Sequence, residues 1–171
     1  MKDTELKLIS ELVKNSRRSD RELARVLGVS QPTVTRTRTR LEKEGMIDYS
    51  GVPNLAKLGY EIIAVVFGKR NYQKHPDILQ KARDFAKRHP NIIFAADGIG
   101  FGYDRISVSI HKDFSDFSKF MSELRAEVGE AMEVDSFLIN LTSKGVVQPL
   151  SMKRFAEQLT EKGARMILPI V

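Results

Sequence analysis

Between Ser30 and Gly45 the chain reads SQPTVTRTRTRLEKEG, which places Thr35, Thr37 and Thr39 between Arg36, Arg38 and Arg40. Guanidinium forks, side-chain amides and hydroxyls are the groups that hydrogen-bond base edges and phosphates. Arg matches the two acceptors of guanine and Gln can pair with adenine, while Thr offers a hydroxyl to phosphate or a methyl to thymine. Gln31, Thr33, Thr35 and Arg36 stand early in this stretch, with Ser30 before them and Thr39 after. Arg17, Arg18, Arg40 and Lys43 flank it as phosphate contacts that would set affinity without reading sequence. A second group is the run Gly98-Ile99-Gly100-Phe101-Gly102, followed by Tyr103 and Asp104. A phosphate-binding glycine loop lies between a strand and a helix N-terminus, whereas this run joins two strand-like segments. It reads as a flexible hairpin or as a small-molecule site with open backbone N–H groups, and on residue types alone both stand.

The elements that must position these groups follow from periodicity and caps. Strict alternation suggests a strand over residues 33–40, but three neighbours argue for a helix. Ser30 is a capping residue, Pro32 occupies the first turn where a missing N–H costs little, and Gly45 supplies a left-handed stop. On that helix Val34, Thr37, Arg38 and Leu41 share one face, and Pro32, Arg36, Thr39, Arg40 and Lys43 the other. A preceding helix from about Asp20 to Leu27 is announced by the Ser19/Glu22 capping box and closed by Gly28. Ala24 and Gly28 then permit a tight corner, the helix-turn-helix arrangement whose second helix enters the major groove. A first helix from about Asp3 carries Leu6, Ile9, Leu12 and Val13 as one stripe. MIDYSG, after Gly45, offers a short β segment suited to a wing.

From about Tyr60 the pattern changes. YEIIAVVFGK is strand-like and apolar on both faces, with Ile62, Ala64 and Val66 on one and Ile63, Val65 and Phe67 on the other. A helix follows with Ile78, Leu79, Ala82, Phe85 and Ala86 on its stripe. NIIFAADG and YDRISVSI are strands, the latter alternating Ile106, Val108 and Ile110 with Arg105, Ser107 and Ser109. A helix with Phe117, Phe120, Met121, Leu124 and Val128 precedes the strand MEVDSFLINLTS. The order is βαββαβ, a ferredoxin-like arrangement. The expected fold class is therefore α+β, a winged helix-turn-helix domain followed by a ferredoxin-like domain. Expected bounds are 1–50 for the first, 51–59 for a linker, 60–147 for the second, and 148–171 for a helix-and-strand extension. The helix is expected from Ser151 to Lys162, with ARMILPIV as the strand, docked on a C-terminal domain.

Composition limits what this assembly can do. With 42% hydrophobic and 29% charged residues the chain is globular. No apolar run approaches the ~20 residues of a membrane span. The start MKDTELKLIS lacks the form of a secretory signal, which implies the cytoplasm. There is no cysteine, so disulfides and thiolate metal sites are excluded. His75, His89 and His111 are scattered, and no nucleophile–base spacing, HExxH or GxSxG occurs. No catalytic residue, metal ligand or cofactor is assigned. The net charge of +6 favours a polyanionic partner.

The residues SDRELARVLGVSQPTVTRTRTRLEKEGMI, followed by LGYEIIAVVF and GFGYDRISVSI, resemble the Lrp/AsnC family of transcription regulators over roughly residues 3–147. The last segment looks like that family's glycine–tyrosine–aspartate hairpin. The resemblance implies a DNA-binding regulator that works on double-stranded DNA as a homodimer or higher oligomer. It also implies an amino-acid effector near the hairpin, at an interface between subunits, with Gly98, Gly100, Gly102, Tyr103 and Asp104 as contributors. Some haem-pathway decarboxylases share the two-domain layout, which leaves an enzyme with a purely structural helix-turn-helix as the alternative. An interaction module without an effector is the third reading. Arg38 departs from the family pattern, standing where an aliphatic residue is usual. Either its stem packs and its head snorkels, or the helix is rotated.

Overall fold

The computed structural model describes residues 3–70, 78–129, 131–142 and 144–161. The chain forms two compact units, residues 3–52 with 150–161 in the first and Pro53–Pro149 in the second.

Three helices open the first unit: α1 (Asp3–Lys14), α2 (Asp20–Leu27) and α3 (Gln31–Lys43). Each begins or ends where the local chemistry demands. Ser19 accepts from the Glu22 N–H while the Glu22 carboxylate takes the Ser19 N–H at 2.8 Å, completing the capping box. The backbone and hydroxyl donors of Ser19 also hold the Glu22 carboxyl below its usual range. Ser30 caps α3 with Pro32 in its first turn, and Gly45 follows its end at a φ of 67°. Leu8, Leu12, Leu23, Ala24, Val34 and Leu41 make the core of this unit. At roughly 1.5–3 kcal/mol for each large side chain buried, this core holds the helices together.

Two features differ from the expectations. Residues 46–54 form no β-ladder, so MIDYSG is not a strand. A strand needs a hydrogen-bonded neighbour, and Tyr49 instead turns its hydroxyl to Glu42 and Arg38 of α3. The C-terminal helix α6 (Lys153–Glu161) belongs to the first unit and packs on α1, where it is expected only to span the gap to a C-terminal domain. Ala156 is fully buried, and its carbonyl accepts a 2.7 Å hydrogen bond from the buried Ser10 hydroxyl. Leu159 joins the core of the three helices. ARMILPIV lies outside the described residues.

The second unit is β1 (Ile62–Arg70), α4 (Ile78–Arg88), β2 (Ile92–Gly100), β3 (Tyr103–His111), α5 (Phe114–Val128) and β4 (Met132–Asn140). This is the expected βαββαβ order, with a short 3-10 turn at Ala56–Leu58 before it. All strand pairs are antiparallel, in the order β2-β3-β1-β4. Helices α4 and α5 supply Ile78, Ala82, Phe85, Phe117, Phe120, Met121, Leu124 and Val128 to a core whose floor is Ile62, Ala64 and Val66. The opposite face pairs Ile63 with Ile110 and Ile139, Val65 with Val108 and Phe137, and Phe67 with Ile106. Among the described residues no element of the unit packs over it, and Phe137 there is 63% exposed. The strands through which the chain enters and leaves are joined, since Leu141 N–H donates to the Glu61 carbonyl at 2.7 Å.

Candidate nucleic-acid interface

Helix α3 is fixed against α2 by a corner and a stitch. In the corner, Gly28 adopts a φ of 68° and the N–H groups of Gly28 and Val29 both return to the Ala24 carbonyl, so the two axes diverge after one residue of left-handed backbone. In the stitch, the two oxygens of Asp20 hold different residues of α3. Oδ2 accepts from the Thr35 hydroxyl at 2.6 Å and Oδ1 lies 3.1 Å from Arg38 Nη1. Arg38 Nε meets Glu42 Oε1 at 2.9 Å and the Tyr49 hydroxyl at 3.0 Å, with the guanidinium over the Tyr49 ring. The helix is therefore not rotated. Val34 and Leu41 remain its buried residues, and Arg38 ends in carboxylates at the edge of the core.

The basic residues of this unit fall into two groups. Arg40 is held by Glu44 at 3.0 Å and by Glu5 of α1 at 2.5 Å, and Arg18 is paired with Glu11. Arg17, Arg36 and Lys43 are exposed and, among the described residues, have no ion-pair partner. Arg36, Thr39 and Lys43 stand on the face of α3 opposite Val34 and Leu41. The remaining hydroxyls are partly committed. Ser30 and Thr33 share a 2.8 Å hydrogen bond at the cap, and Thr35 is engaged with Asp20. Gln31 is exposed beside them. Chemically, the outer face of α3 carries a fork, an amide, a hydroxyl and an ammonium that nothing in the fold uses.

The glycine run of the second unit is a hairpin, not a phosphate loop. Gly100 pairs with Tyr103 across a two-residue turn, in which Phe101 and Gly102 take φ values of 52° and 81°. Positive φ at both central positions is what a tight hairpin requires, and it explains Gly102. The side chains of Ile99 and Phe101 are wholly exposed, as are Gly98 and Gly100. Tyr103 stacks near Phe67, with ring centroids 5.5 Å apart, and donates its hydroxyl to Asp135, which pushes the phenol pKa up. The Asp104 carboxylate lies 3.0 Å from Arg70 Nε and accepts the Arg70 N–H at 3.4 Å. The five candidate residues are thus contiguous, but Tyr103 and Asp104 are each tied to a neighbour within the sheet.

A family profile for winged helix-turn-helix DNA-binding domains matches residues 1–48. The crystal structure of LrpC from Bacillus subtilis shares the fold, with a TM-score of 0.69 at 22% identity over 86% of this chain and 99% of that one. So does a transcriptional regulator of Neisseria meningitidis solved in complex with L-Met, with a TM-score of 0.75 at 17% identity over 91% and 99%. The HTH-type transcriptional regulator Ptr1 of Methanocaldococcus jannaschii is 30% identical over 120 residues, covering 70% of this chain and 78% of that protein. The chain belongs to the HTH-type transcriptional regulators and has the Lrp/AsnC fold. It is a DNA-binding transcription regulator, and the decarboxylase alternative finds no support among these relatives.

Two parts of the regulator's DNA-binding unit escaped the sequence. Asp20 reads there only as the start of α2, and Glu5 is given no role. Their partners lie 18 and 35 positions away, at Arg38 and Arg40. A helical wheel of one element cannot show either pair. The one available signal for the first was Arg38 itself, a cation on a helix face that otherwise packs.

Proposed function

We propose that the regulator reads duplex DNA with the outer face of α3, Arg36 contacting a base and Lys43 and Arg17 contacting phosphates. The observation that carries this is the partition of cations: among the described residues these three are exposed without ion-pair partners, while Arg18 and Arg40 are neutralised within the unit. Gln31, Thr33, Thr35 and Thr39 then lie along the groove, with Ser30 at the helix start. Arg18 and Arg40 contact phosphate only by exchanging Glu11 or Glu44 and Glu5 for it. Residues 1–50 serve as the DNA-binding domain, 51–59 as linker and 60–147 as the assembly and effector domain. Selection of duplexes from a random pool by the intact protein, followed by affinity measurements over a range of salt, tests this. Affinity should fall steeply with salt and one sequence should be enriched. A pool left unenriched would remove the base-reading role of Arg36.

The same proposal has the regulator act in the cytoplasm as a homodimer or larger assembly. The uncovered sheet face, with Ile63, Val65, Ile106, Val108 and Phe137, is too apolar to stand in water, and a second copy is the occupant it suits. A two-fold dimer presents two α3 helices to half-sites ~34–36 Å apart. Among the described residues no helix is long and apolar enough to cross a membrane.

An α-amino acid is the effector proposed, taken at the hairpin of Gly98, Gly100, Gly102, Tyr103 and Asp104. Its carboxylate would meet the open N–H groups and its ammonium the Asp104 carboxylate. The L-Met complex of the Neisseria protein, which has this fold, supports the ligand class. Calorimetry of the twenty amino acids against the intact protein and against Asp104→Ala tests it, and heats indifferent to Asp104 would exclude this site.

A further inference from the structure

Helix α3 carries four threonines, and the fold spends their hydroxyls differently. Thr33 shares its hydroxyl with the Ser30 cap at 2.8 Å, and the half-buried Thr37 donates to the Thr33 carbonyl at 2.8 Å. Thr39 is exposed, and among the described residues its hydroxyl has no partner. Thr35 is exposed as well, but its hydroxyl faces two acceptors, Asp20 Oδ2 at 2.6 Å and the Gln31 carbonyl at 3.2 Å.

A hydroxyl has a single hydrogen to donate, and one given to a carboxylate makes a short, strong bond. The Thr35 hydroxyl is therefore no donor to a phosphate, whose oxygens only accept. A phosphate at that oxygen would also stand beside the Asp20 carboxylate, and like charges that close repel. The geometry at Cβ then decides what the residue shows. With Oγ1 turned to α2 and back to the carbonyl one turn before it, the methyl is the branch left toward solvent. Thr35 and Thr39 lie one turn apart on the same side of α3, yet one presents a methyl and the other a free hydroxyl.

We propose that Thr35 is a specificity-determining residue that reads the C5-methyl group of a thymine in the major groove. Asp20 is the positioning residue that turns its hydroxyl away. This rests on the reading of α3 as the base-contacting helix. Thymine is the base that carries an apolar group on its major-groove edge, so a threonine with its hydroxyl spent matches it.

The test uses the full-length protein and the duplex that it selects from a random pool. Each thymine is replaced in turn by uracil, which removes the methyl and leaves every hydrogen-bonding group in place. At one position uracil should weaken the wild-type protein about fourfold, the worth of one buried methyl group. Thr35→Ser keeps the hydroxyl for Asp20 without the methyl, and should bind the two duplexes equally. Thr35→Val keeps a methyl in that place without the hydroxyl, and should still discriminate. A pool left unenriched would remove base reading by α3, and this assignment with it. An enriched duplex with no uracil-sensitive position, or one whose sensitivity survives in Thr35→Ser, would overturn the Thr35 assignment alone. Discrimination lost in a folded Thr35→Val would move the reading to the hydroxyl oxygen and overturn it too. Should Thr35→Val not fold, the serine variant decides.

Discussion

Helix α3 and strand β3 each carry a polar and an apolar face, and the fold turns them in opposite directions. Helix α3 buries Val34 and Leu41 and shows Arg36, Thr39 and Lys43 to solvent. Strand β3 points Arg105, Ser107, Ser109 and His111 at its own helices and presents Ile106, Val108 and Ile110 on the uncovered side. A face that hides its apolar residues is finished and meets water or a charged partner. One that shows them, after polar groups have been spent on the inside, is finished only by another apolar surface. On the proposed reading, the first unit meets an anion and the second meets a second copy of the chain.

The strongest way to break this comparison is to place a charge at the centre of the open sheet face. Val108 pairs with Val65 there. With a second copy over it, Val108→Glu would bury an unpaired carboxylate at a cost of about 3–5 kcal/mol. Sedimentation velocity should then show the mass halved, with dissociation strengthened by at least about a hundredfold and the circular dichroism of the subunit retained. A variant of undiminished mass would mean that this face is not the interface.

The corresponding changes on α3 should leave assembly alone and act on DNA. Arg36→Ala is expected to relax discrimination at one base pair by about 1–3 kcal/mol. Lys43→Ala should weaken all sequences alike and lower the salt slope by about one. Binding curves on matched and mismatched duplexes separate the two, and parallel losses on every duplex for both variants would erase the distinction drawn between them.

Arg38 sharpens the contrast from within α3. It lies two residues from Arg36 on the chain but is spent on Asp20, Glu42 and Tyr49. Arg38→Ala should therefore lower the stability of the DNA-binding unit by about 1–3 kcal/mol, the worth of hydrogen bonds to charged groups. Its effect on the salt slope should be smaller than that of Lys43→Ala. Thermal melts and salt titrations of the two variants compare them directly, and a melt for Arg38→Ala equal to wild type would show the stitch to be dispensable.

What was legible in the sequence follows the range over which each interaction acts. The Ser19/Glu22 box, Gly28, Pro32 and Gly45 are local devices, and the structure places each where its chemistry predicts. The stripes of α4 and α5 were equally readable, because a helix records its buried face every three to four residues. Alternation in β3 was readable too, but not which set points inward, since a period of two is the same from either side. That direction is settled by cross-strand partners such as Ala64 opposite Ser109. The contact of α6 with α1 was not readable at all. Ser10 and Ala156 are 146 positions apart, and neither residue type announces a partner. Within the site, Arg36 and Arg40 looked alike on the wheel, and Glu44 together with Glu5, brought in from α1, tells them apart.

The inward polar side of β3 makes its own, smaller prediction through His111. The ring is fully buried between Phe117 and Phe120, with Nε2 2.8 Å from the Ser109 hydroxyl and Nδ1 3.2 Å from the Asn91 amide nitrogen. That amide nitrogen also donates to the Ile110 carbonyl at 2.8 Å, which fixes it as a donor and Nδ1 as its acceptor. The neutral ring therefore satisfies both nitrogens, whereas a proton on Nδ1 would face an N–H. Burial lowers the His111 pKa from its ordinary value. The Asp116 carboxylate, 3.7 Å away, opposes the shift without cancelling it, and the nearby His89 adds to it. With the folded pKa below the unfolded value of about 6.5, the unfolded chain binds more protons as the pH falls below that point. The contribution is fully present above pH ~6.5 and is lost as the pH falls toward the folded pKa, at no more than about 1.4 kcal/mol per pH unit. Histidine is the side chain whose ordinary pKa places its charge change in the window between pH 6.5 and 5. Replacing the ring by a neutral amide, His111→Gln, should flatten the fall of melting temperature across that window, even if the variant melts lower throughout. Parallel curves for the two proteins would mean that the inward face of β3 accommodates a charged ring, and that its polar residues are not held neutral by burial.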